Sequence, residues 1–288
     1  MAQDLVGKNF IITGASAGIG KVTALELSRR GAHVIMANRS RAKSESVIAE
    51  IEKATGNRPD LVELDLSDLA SVRRAAEAIL AKNLPIHGLI NNAGLAGSHG
   101  LTKDGFELTF GTNHLGPYLF TRLLLDKIKQ TSGARIVNVS SHSHYQAKQL
   151  HFDRVKGQTR SRTGLKEYEE SKLANVLFTK SLAEKLSGSG VTAYAVHPGM
   201  VATEIWSKSD LFPKLPLPIR WVWKKLMRTV EQGAVSSLRT ATDPELGQES
   251  GNYYGQNGFK KKPSPLADDT KLAHELWQRS AEWTGLPA

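Results

Sequence analysis

A glycine-rich run at positions 13–20, Thr-Gly-Ala-Ser-Ala-Gly-Ile-Gly, follows a short apolar segment and precedes a helical pattern. Glycines permit a tight turn and let the backbone approach a ligand, while a helix N-terminus offers free N–H groups and a positive dipole to phosphates. A plain strand-to-helix turn would also use glycine, and the position after the first strand is what favours a pyrophosphate site. The predicted contacts are Gly14, Ser16, Gly18, Ile19 and Gly20.

The end of the second predicted strand reads Ala-Asn-Arg-Ser-Arg at positions 37–41. Dinucleotide-binding folds that prefer NAD place an acid here, which bonds the adenosine ribose. No acid stands at these positions, and the Arg39 guanidinium can pair with a 2′-phosphate while it stacks on adenine. The sequence therefore predicts NADP(H) as the cofactor, with Arg39 and Ser40 as contacts. In the alternative, Arg39 and Arg41 only decorate a solvated helix start, where cations are unfavourable without an anionic partner.

Polar residues also follow the third and fourth predicted strands, where a parallel sheet places its ligands. Positions 65–66 read Asp-Leu, and positions 91–94 read Asn-Asn-Ala-Gly. Asp65 could instead cap the following helix, although Ser67 or Asp68 suits that position better. A simple turn would also explain the second motif, but the apolar residues before it favour a ligand site. The predicted contacts here are Asp65, Leu66, Asn91, Ala93 and Gly94.

Tyr168 and Lys172 are four residues apart within a helical pattern, so they share one helix face. They could be an ordinary helical pair, or a phenol that donates a proton beside a cation that lowers its pKa. A loop at 198–203 follows a strand end, where the Val201 backbone and the Thr203 hydroxyl could bind a carboxamide. Its alternative is a loop proline followed by a helix N-cap. The predicted cofactor contacts in these segments are Tyr168, Lys172, Pro198, Gly199, Val201 and Thr203.

Short apolar runs alternate with helical patterns along the chain, and these elements must position the residues above. The runs of strand length are 10–12, 33–36, 61–64, 88–90, 135–139 and 192–196, and helical stretches include 21–30, 43–54, 69–82, 115–130 and 168–186. Continuous apolar strands mean that both sheet faces are covered, and the alternation means parallel pairing. The sequence predicts an α/β fold: a single doubly wound (Rossmann) domain over 1–288, with a parallel sheet and helices on both faces.

Bulk composition narrows the class of protein. Hydrophobic residues make up 40% of the 288 positions, enough for one continuous core. The chain has no cysteine, which excludes disulfides and favours a reducing compartment, and it shows no signal-peptide pattern, so we expect a cytoplasmic location. The net charge of +10 would suit an anionic partner, but the basic residues are mostly dispersed among acids, so we expect no nucleic-acid partner. His142 and His144 have no matching carboxylate cluster, so no metal is expected.

The ordered motifs of the chain resemble those of the short-chain dehydrogenase/reductase family over nearly its whole length. The matching segments are 13–20, Asn-Asn-Ala-Gly at 91–94, Ser141, Tyr-Glu-Glu-Ser-Lys at 168–172 and Pro-Gly at 198–199. A closer likeness to the retinol dehydrogenase branch is carried by Thr-Asn-His-Leu-Gly at 112–116, Arg-Ile-Val-Asn-Val-Ser-Ser at 135–141, Ser-Lys-Leu-Ala-Asn-Val-Leu-Phe at 171–178 and Ala-Val-His-Pro-Gly at 195–199. The resemblance implies an oxidoreductase that moves a hydride between NADP(H) and a carbonyl or alcohol.

The resemblance also implies a catalytic tetrad of Asn113, Ser141, Tyr168 and Lys172. Ser141 is preferred to Ser140 because the second serine of the pair matches the family position. Tyr168 would supply the proton to a developing alkoxide, and Ser141 would orient the substrate oxygen. Lys172 would bond the nicotinamide ribose as well, and Asn113 would hold a water in the proton relay.

Residues 204–228 are predicted to form a substrate lid over a lipophilic pocket. Their apolar members include Trp206, Leu211, Phe212, Leu215, Leu217, Ile219, Trp221, Val222 and Trp223. Neighbouring basic residues could rest a short helix on an anionic membrane surface, giving peripheral membrane contact; the alternative is an ordinary helix packed on the domain.

The expected substrate is a small lipophilic aldehyde, ketone or alcohol, retinoid-like or other. A steroid or another cyclic ketone is the alternative substrate, and an NADPH-binding scaffold or sensor without turnover is the alternative function. The segment 142–166 is longer than in the shortest family members, which puts the family's usual dimer interface in doubt. Both a monomer and a homodimer therefore stay open.

Overall fold

The computed structural model describes residues 3–201 and 227–288, and seven strands in these two ranges form one parallel sheet. The strands are β1 (Asn9–Thr13), β2 (His33–Asn38), β3 (Asp60–Glu63), β4 (Gly88–Asn91), β5 (Arg135–Val139), β6 (Thr192–Val196) and β7 (Asn252–Tyr254). Their order across the sheet is β3-β2-β1-β4-β5-β6-β7. The winding reverses between β1 and β4, which confirms the predicted doubly wound fold.

Helices follow most of the strands and cover the sheet on both sides. They are α1 (Gly18–Arg29), α2 (Arg41–Thr55), α3 (Leu69–Ala81), α4 (Gly116–Lys129), α5 (Leu165–Lys185), α6 (Val230–Thr242) and α7 (Thr270–Thr284). Helix α4 continues from a π turn, Gly111–Leu115. A π turn inserts an extra residue into a helix and is frequent at functional sites.

Two hydrophobic cores explain why the strands are apolar throughout. On one face, Ile11, Leu89 and Ile136 pack with residues of α3, α4 and α5. On the other face, Ile12 and Ile90 pack with residues of α1, α2 and α6. Because successive strand residues point to opposite faces and both faces are covered, polar positions are displaced to the strand ends. The carboxyl ends of β1, β4 and β5 are therefore where polar chemistry collects.

The sequence analysis did not predict β7, α6 or α7. Strand β7 has three residues, too few to show a period. Both helices carry start signals that were available: Thr229 and Gln232 form a reciprocal capping box on α6, and the Asp269 side chain accepts a hydrogen bond from the backbone of Leu272 in α7. Helices α1 and α5 begin three residues earlier than predicted, at Gly18 and Leu165.

The predicted contact Thr203 and residues 204–226 of the predicted lid lie outside the described residues. Among the helices in 3–201 and 227–288, none is long and apolar enough to cross a membrane.

Candidate active site

Thr13 and Asn92 fasten the glycine-rich turn to the end of β4. The Asn92 side-chain amide donates to the Thr13 carbonyl at 2.9 Å, and the backbone N–H groups of Asn92 and Ala93 both donate to the Thr13 hydroxyl at 3.0 Å. Gly14, with φ 71°, lies against this junction, and a Cβ there would stand 2.8 Å from the Ala93 Cα. Glycine is required at position 14 both for its backbone conformation and for space.

The N-terminus of α1 is left open for an anionic ligand. Its N-cap residue, Ala17, makes no side-chain hydrogen bond in the described structure, and no acid stands in the first turn. A Cβ on Gly20 would lie 2.4 Å from the Gly14 carbonyl oxygen, so the turn is closed tightly on the helix. The predicted contacts Gly14, Ser16, Gly18, Ile19 and Gly20 all come together here. The first N–H groups of a helix have no partner within the helix, and glycines let a pyrophosphate approach them closely.

Arg39 is exposed just beyond β2, and among the described residues it pairs with no carboxylate. Ser40 caps α2 by accepting from the Lys43 N–H at 3.4 Å, and Arg41 lies 3.6 Å from Glu45. The buried side chain of Asn38 accepts from the Ala15 N–H at 2.7 Å. Asn38, which the sequence analysis did not single out, therefore ties the glycine-rich turn to the strand end that carries Arg39.

Asp65 is engaged in a local turn at the end of β3. Its carboxylate accepts from the backbone N–H of Ser67 at 2.9 Å and from the Ser67 hydroxyl at 2.6 Å. Asp68 caps α3 instead, and its carboxylate accepts from the backbone N–H groups of Ala70 and Ser71. This agrees with the expectation that Ser67 or Asp68 suits the cap position better than Asp65. Leu66 is buried beside α4, where a Cβ on Gly116 would lie 2.5 Å from the Leu66 carbonyl oxygen.

The side chain of Asn91 points into the core. Its amide donates to the Thr121 hydroxyl at 2.9 Å and to the Asn138 side chain at 2.8 Å. Gly94, three residues later, lies between the two halves of the site. A Cβ on Gly94 would stand 3.0 Å from the Asn113 side-chain oxygen and 3.4 Å from the Lys172 Nζ. The loop after β4 therefore joins the glycine-rich turn to the predicted tetrad.

Asn113 sits in the π turn before α4 and is fully buried. Its side-chain oxygen accepts from the Leu95 N–H at 2.9 Å, and its amide donates to the Leu95 carbonyl at 2.9 Å and to the Ser171 hydroxyl at 3.0 Å. These three hydrogen bonds fix the amide in one orientation. The residue four positions on is Pro117, which has no N–H, so the Asn113 carbonyl lacks the usual α-helical donor.

Ser141, Tyr168 and Lys172 meet where β5 ends against α5. The Ser141 hydroxyl donates to the Ser143 hydroxyl at 3.2 Å and lies near enough to the Tyr168 phenol to lower its pKa. The Lys172 Nζ lies 5.6 Å from the centre of the Tyr168 ring and donates to the Val139 carbonyl at 3.0 Å. Ser140 points away from this group, because its hydroxyl donates to the Lys172 carbonyl at 2.7 Å. The structure thus places the second serine, and not the first, beside the phenol.

Burial shifts the pKa values of Tyr168 and Lys172 in the directions that favour the neutral form of each side chain. It raises the pKa of the Tyr168 phenol, and the nearby Ser141 hydroxyl offsets only part of that rise. It lowers the pKa of the Lys172 ammonium to about 8. The net shift of the Tyr168 pKa is upward because desolvation of the phenol is its largest cause. The Lys172 ammonium donates to Val139 in this structure, and its lowering effect on the phenol pKa stays a prediction.

A cavity of about 1080 Å³ opens beside Tyr168 and Ser141, a volume typical of ligand sites. Its wall includes five predicted cofactor contacts: Ile19, Tyr168, Pro198, Gly199 and Val201. Gly199 has φ 89°, and its N–H donates to the His197 ring at 3.0 Å. The exposed side chains of Met200 and Phe259 add apolar surface to the same cavity.

The fold and this site define a dinucleotide-binding α/β oxidoreductase. The model of the family described as short chain dehydrogenase matches residues 8–212, and the chain belongs to this family. Two similar relatives are human retinol dehydrogenase 11, 43% identical over 98% of this chain and 87% of its own length, and mouse retinol dehydrogenase 12, 44% identical over 97% and 87%. The predicted likeness to the retinol dehydrogenase branch is confirmed.

Solved structures agree with this family. An uncharacterized protein from Mycobacterium paratuberculosis superposes with a TM-score of 0.77 at 33% identity, covering 100% of this chain and 99% of its own. A blue fluorescent protein from a metagenomic library, in complex with NADPH, superposes with a TM-score of 0.68 at 26% identity, covering 88% and 98%.

Proposed function

We propose that the protein is an NADP(H)-dependent carbonyl reductase or alcohol dehydrogenase that acts on a lipophilic aldehyde, ketone or alcohol. The observation that carries the proposal is that Ser141 and Tyr168, with Lys172 next to the Tyr168 ring, lie at the wall of a cavity that Ile19 from the start of α1 also lines. A scaffold that only bound the cofactor would have no need of a buried phenol and ammonium beside that cavity, because burying them costs free energy.

The residues present suit the cofactor. The N–H groups at the start of α1 would hold the pyrophosphate, the loop after β4 would flank the adenosine side, and Lys172 would bond the nicotinamide ribose. Asp65, Asn91 and Ala93 would contribute through backbone or through the remaining carboxylate oxygen, since their side chains are otherwise engaged or apolar. When bound, the reduced nicotinamide supplies the hydride.

Tyr168 is the proposed proton donor. Because burial raises the pKa of its phenol, Tyr168 is protonated at neutral pH and can give that proton to the oxygen of a reacting carbonyl. Ser141 lies beside the same phenol at the cavity wall, so both hydroxyls could reach one substrate oxygen and orient it. The Lys172 ammonium, 5.6 Å from the ring centre, would stabilise the phenolate that remains.

Asn113 would hold the relay water through its backbone and not through its amide. The amide is occupied by Leu95 and Ser171, whereas the carbonyl lacks its α-helical donor because of Pro117.

The preference for NADP(H) rests on Arg39. Its guanidinium is exposed at the end of β2 with no carboxylate partner among the described residues, and this leaves it available to a 2′-phosphate. The similar blue fluorescent protein that was solved with NADPH supports the same cofactor.

The lipophilic substrate is supported by the names of the relatives, which are retinol dehydrogenases, and by the apolar side chains of Met200 and Phe259 at the cavity. The single domain, the lid at 204–228, the peripheral membrane contact, the cytoplasmic location and the choice between monomer and homodimer stay predictions.

The test compares NADPH and NADH with retinal, aliphatic and aromatic aldehydes and steroid ketones. We expect a higher kcat/KM with NADPH, and Arg39→Asp should reduce that preference by about tenfold to a hundredfold, because one charge-assisted contact contributes about 1.5 to 3 kcal/mol. Arg41→Asp is the matched control, with the same change in charge at a residue that already faces Glu45. Equal efficiency with both cofactors in the parent protein would refute the preference, and no turnover of any carbonyl would favour the scaffold.

A further inference from the structure

His144 lies directly beneath the proposed catalytic serine. It belongs to the short turn His142–Tyr145, which Ser141 caps, and its side chain is fully buried. The ring Nδ1 stands 2.7 Å from the Ser141 carbonyl oxygen. The ring Nε2 stands 3.1 Å from the backbone N–H of Ser264. Both ring nitrogens are therefore engaged by backbone groups.

These two partners allow one tautomer. The Ser264 N–H can only donate, so Nε2 must be the unprotonated acceptor, and the proton must sit on Nδ1, where it is donated to the Ser141 carbonyl. A doubly protonated ring would face the Ser264 N–H with a second donor, and burial lowers the pKa of His144 to about 4. The imidazole is thus a neutral, oriented link between two backbone segments.

The His144 imidazole restrains the backbone segment that carries the Ser141 hydroxyl. On its N-terminal side, Ser140 is anchored by its N–H to the Val196 carbonyl and by its hydroxyl to the Lys172 carbonyl, each at 2.7 Å. On its C-terminal side, the Ser141 carbonyl is held by His144. The backbone of Ser141 is thus held on both sides, its hydroxyl donates to the Ser143 hydroxyl at 3.2 Å, and it lies near enough to Tyr168 to lower the pKa of the phenol.

The second partner of His144 comes from a distant part of the chain. Ser264 lies 120 positions after His144, in the segment that follows β7. The Tyr145 hydroxyl donates to the Lys262 carbonyl of the same segment. The segment after β7 therefore forms hydrogen bonds with two adjacent residues, His144 and Tyr145, next to Ser141.

We propose that His144 is a positioning residue for hydride transfer, which holds the Ser141 backbone so that the serine hydroxyl stays at the Tyr168 phenol. It does not exchange protons with substrate, because both its nitrogens are occupied. The inference rests on the proposed function in that it assigns Ser141 to the substrate oxygen.

Three substitutions separate the two hydrogen bonds of the ring. In His144→Asn, the amide nitrogen can take the place of Nδ1 and still donate to Ser141. In His144→Gln, the amide oxygen can take the place of Nε2 and still accept from Ser264, while the bond to Ser141 is lost. His144→Ala loses both. We expect kcat to fall about tenfold to a hundredfold in the Gln and Ala variants, since a small displacement of an orienting group has effects of that size. The Asn variant should keep kcat within about threefold of the parent, and NADPH affinity should be unchanged in all three.

Hydrogen exchange of the peptide that spans 140–146 gives a readout that needs no turnover. The N–H of Ser143 donates to the Ser141 hydroxyl, and the N–H of His144 donates to the Ser141 carbonyl. Exchange of these amides should accelerate in the Gln and Ala variants and stay near the parent rate in the Asn variant. His274→Asn, on the surface of α7, is the matched control and should change neither kcat nor this exchange.

Equal losses in the Asn and Gln variants would show that His144 only fills space, and unchanged exchange in all variants would overturn the inference as well. If the parent protein turns over no carbonyl, the proposed function fails, and the exchange pattern still decides whether His144 holds Ser141.

Discussion

The cofactor half and the catalytic half of the site are built from different kinds of chemical groups. The pyrophosphate part of the cofactor half consists of backbone and small uncharged side chains: Gly14 and Gly20 leave no room for a Cβ, and Thr13 and Asn92 hold them in place. The catalytic half consists of large buried side chains whose pKa values are shifted by desolvation, above all in Tyr168.

Because of this difference, we expect substitutions to impair the cofactor half and the catalytic half for different reasons. The cofactor half has no room for additional atoms, so an added methyl group should weaken cofactor binding although no polar or charged group is changed. The catalytic half is limited by chemistry, so the loss of one oxygen or one charge should stop turnover while packing is kept. Substitutions that change only the volume of a side chain, or only its functional group, therefore test whether the two halves differ in this way.

The largest effect is expected from Tyr168→Phe, which removes the phenol hydroxyl and with it the transferable proton. Turnover should fall by about a hundredfold to ten-thousandfold, the usual contribution of general acid catalysis, while NADPH affinity and melting temperature stay close to the parent values. Steady-state rates and a fluorescence titration with NADPH measure the two quantities. Tyr254→Phe deletes a comparable hydroxyl, bonded to Glu249 at 2.8 Å, and should leave turnover in place. Substantial activity of the Tyr168→Phe variant at any pH would mean that the proton donor is misassigned.

A smaller effect, on binding, is expected from Gly14→Ala. Gly56 offers a matched control because it has φ 75°, close to the 71° of Gly14, but nothing lies within 4 Å of its missing Cβ. Gly56→Ala should cost about 1 kcal/mol of stability through backbone strain alone. Gly14→Ala should cost more and weaken NADPH binding at least tenfold, because the methyl group meets Ala93. Similar NADPH dissociation constants for the two variants would show that space does not limit the cofactor half.

The smallest effect is a gain in stability from Lys172→Met, at the expense of turnover. The pKa of Lys172 falls from 10.5 to about 8 on folding, so below pH 8 the folded state buries a charge that the unfolded state leaves in water. Between pH 8 and 10.5 the unfolded chain binds more protons, so the parent gains stability as pH rises. Urea unfolding should find the Lys172→Met variant more stable by about 2 kcal/mol at pH 7, and this advantage should shrink by pH 10.

Lys53→Met, at an exposed position of α2, is the control for Lys172→Met and should show no such pH-dependent gain. A Lys172→Met variant that is less stable than the parent at pH 7 would indicate that the bond to Val139 outweighs the cost of burying the ammonium.

The sequence predicted the sheet and most of the site because both leave local signals. Apolar runs located six of the strands, and ordered motifs located Ser141, Tyr168 and Lys172, which the structure brings together. Residues that act by long-range contact left no such signal. Asn38 reaches Ala15 across 23 positions, and His144 meets Ser264 across 120.

Electrostatics was the other quantity that spacing could not provide. The four-residue interval between Tyr168 and Lys172 predicts proximity, but the direction of a pKa shift depends on how much water each group loses. The side chain of Asn91 is a similar case: its place at a strand end suggested a ligand contact, and the pairing of β4 with β5 turns it toward Asn138.

The central claim is that this chain transfers a hydride to a carbonyl with Tyr168 as the proton donor. The most direct measurement is the reduction of retinal with NADPH that carries deuterium at both C4 positions of the nicotinamide, followed by mass spectrometry of the product. The account predicts one deuterium on the carbinol carbon for each NADPH oxidised, and none in the Tyr168→Phe variant on the same time scale. NADPH oxidation without deuterium in the alcohol, or equal transfer by the Tyr168→Phe variant, would contradict it.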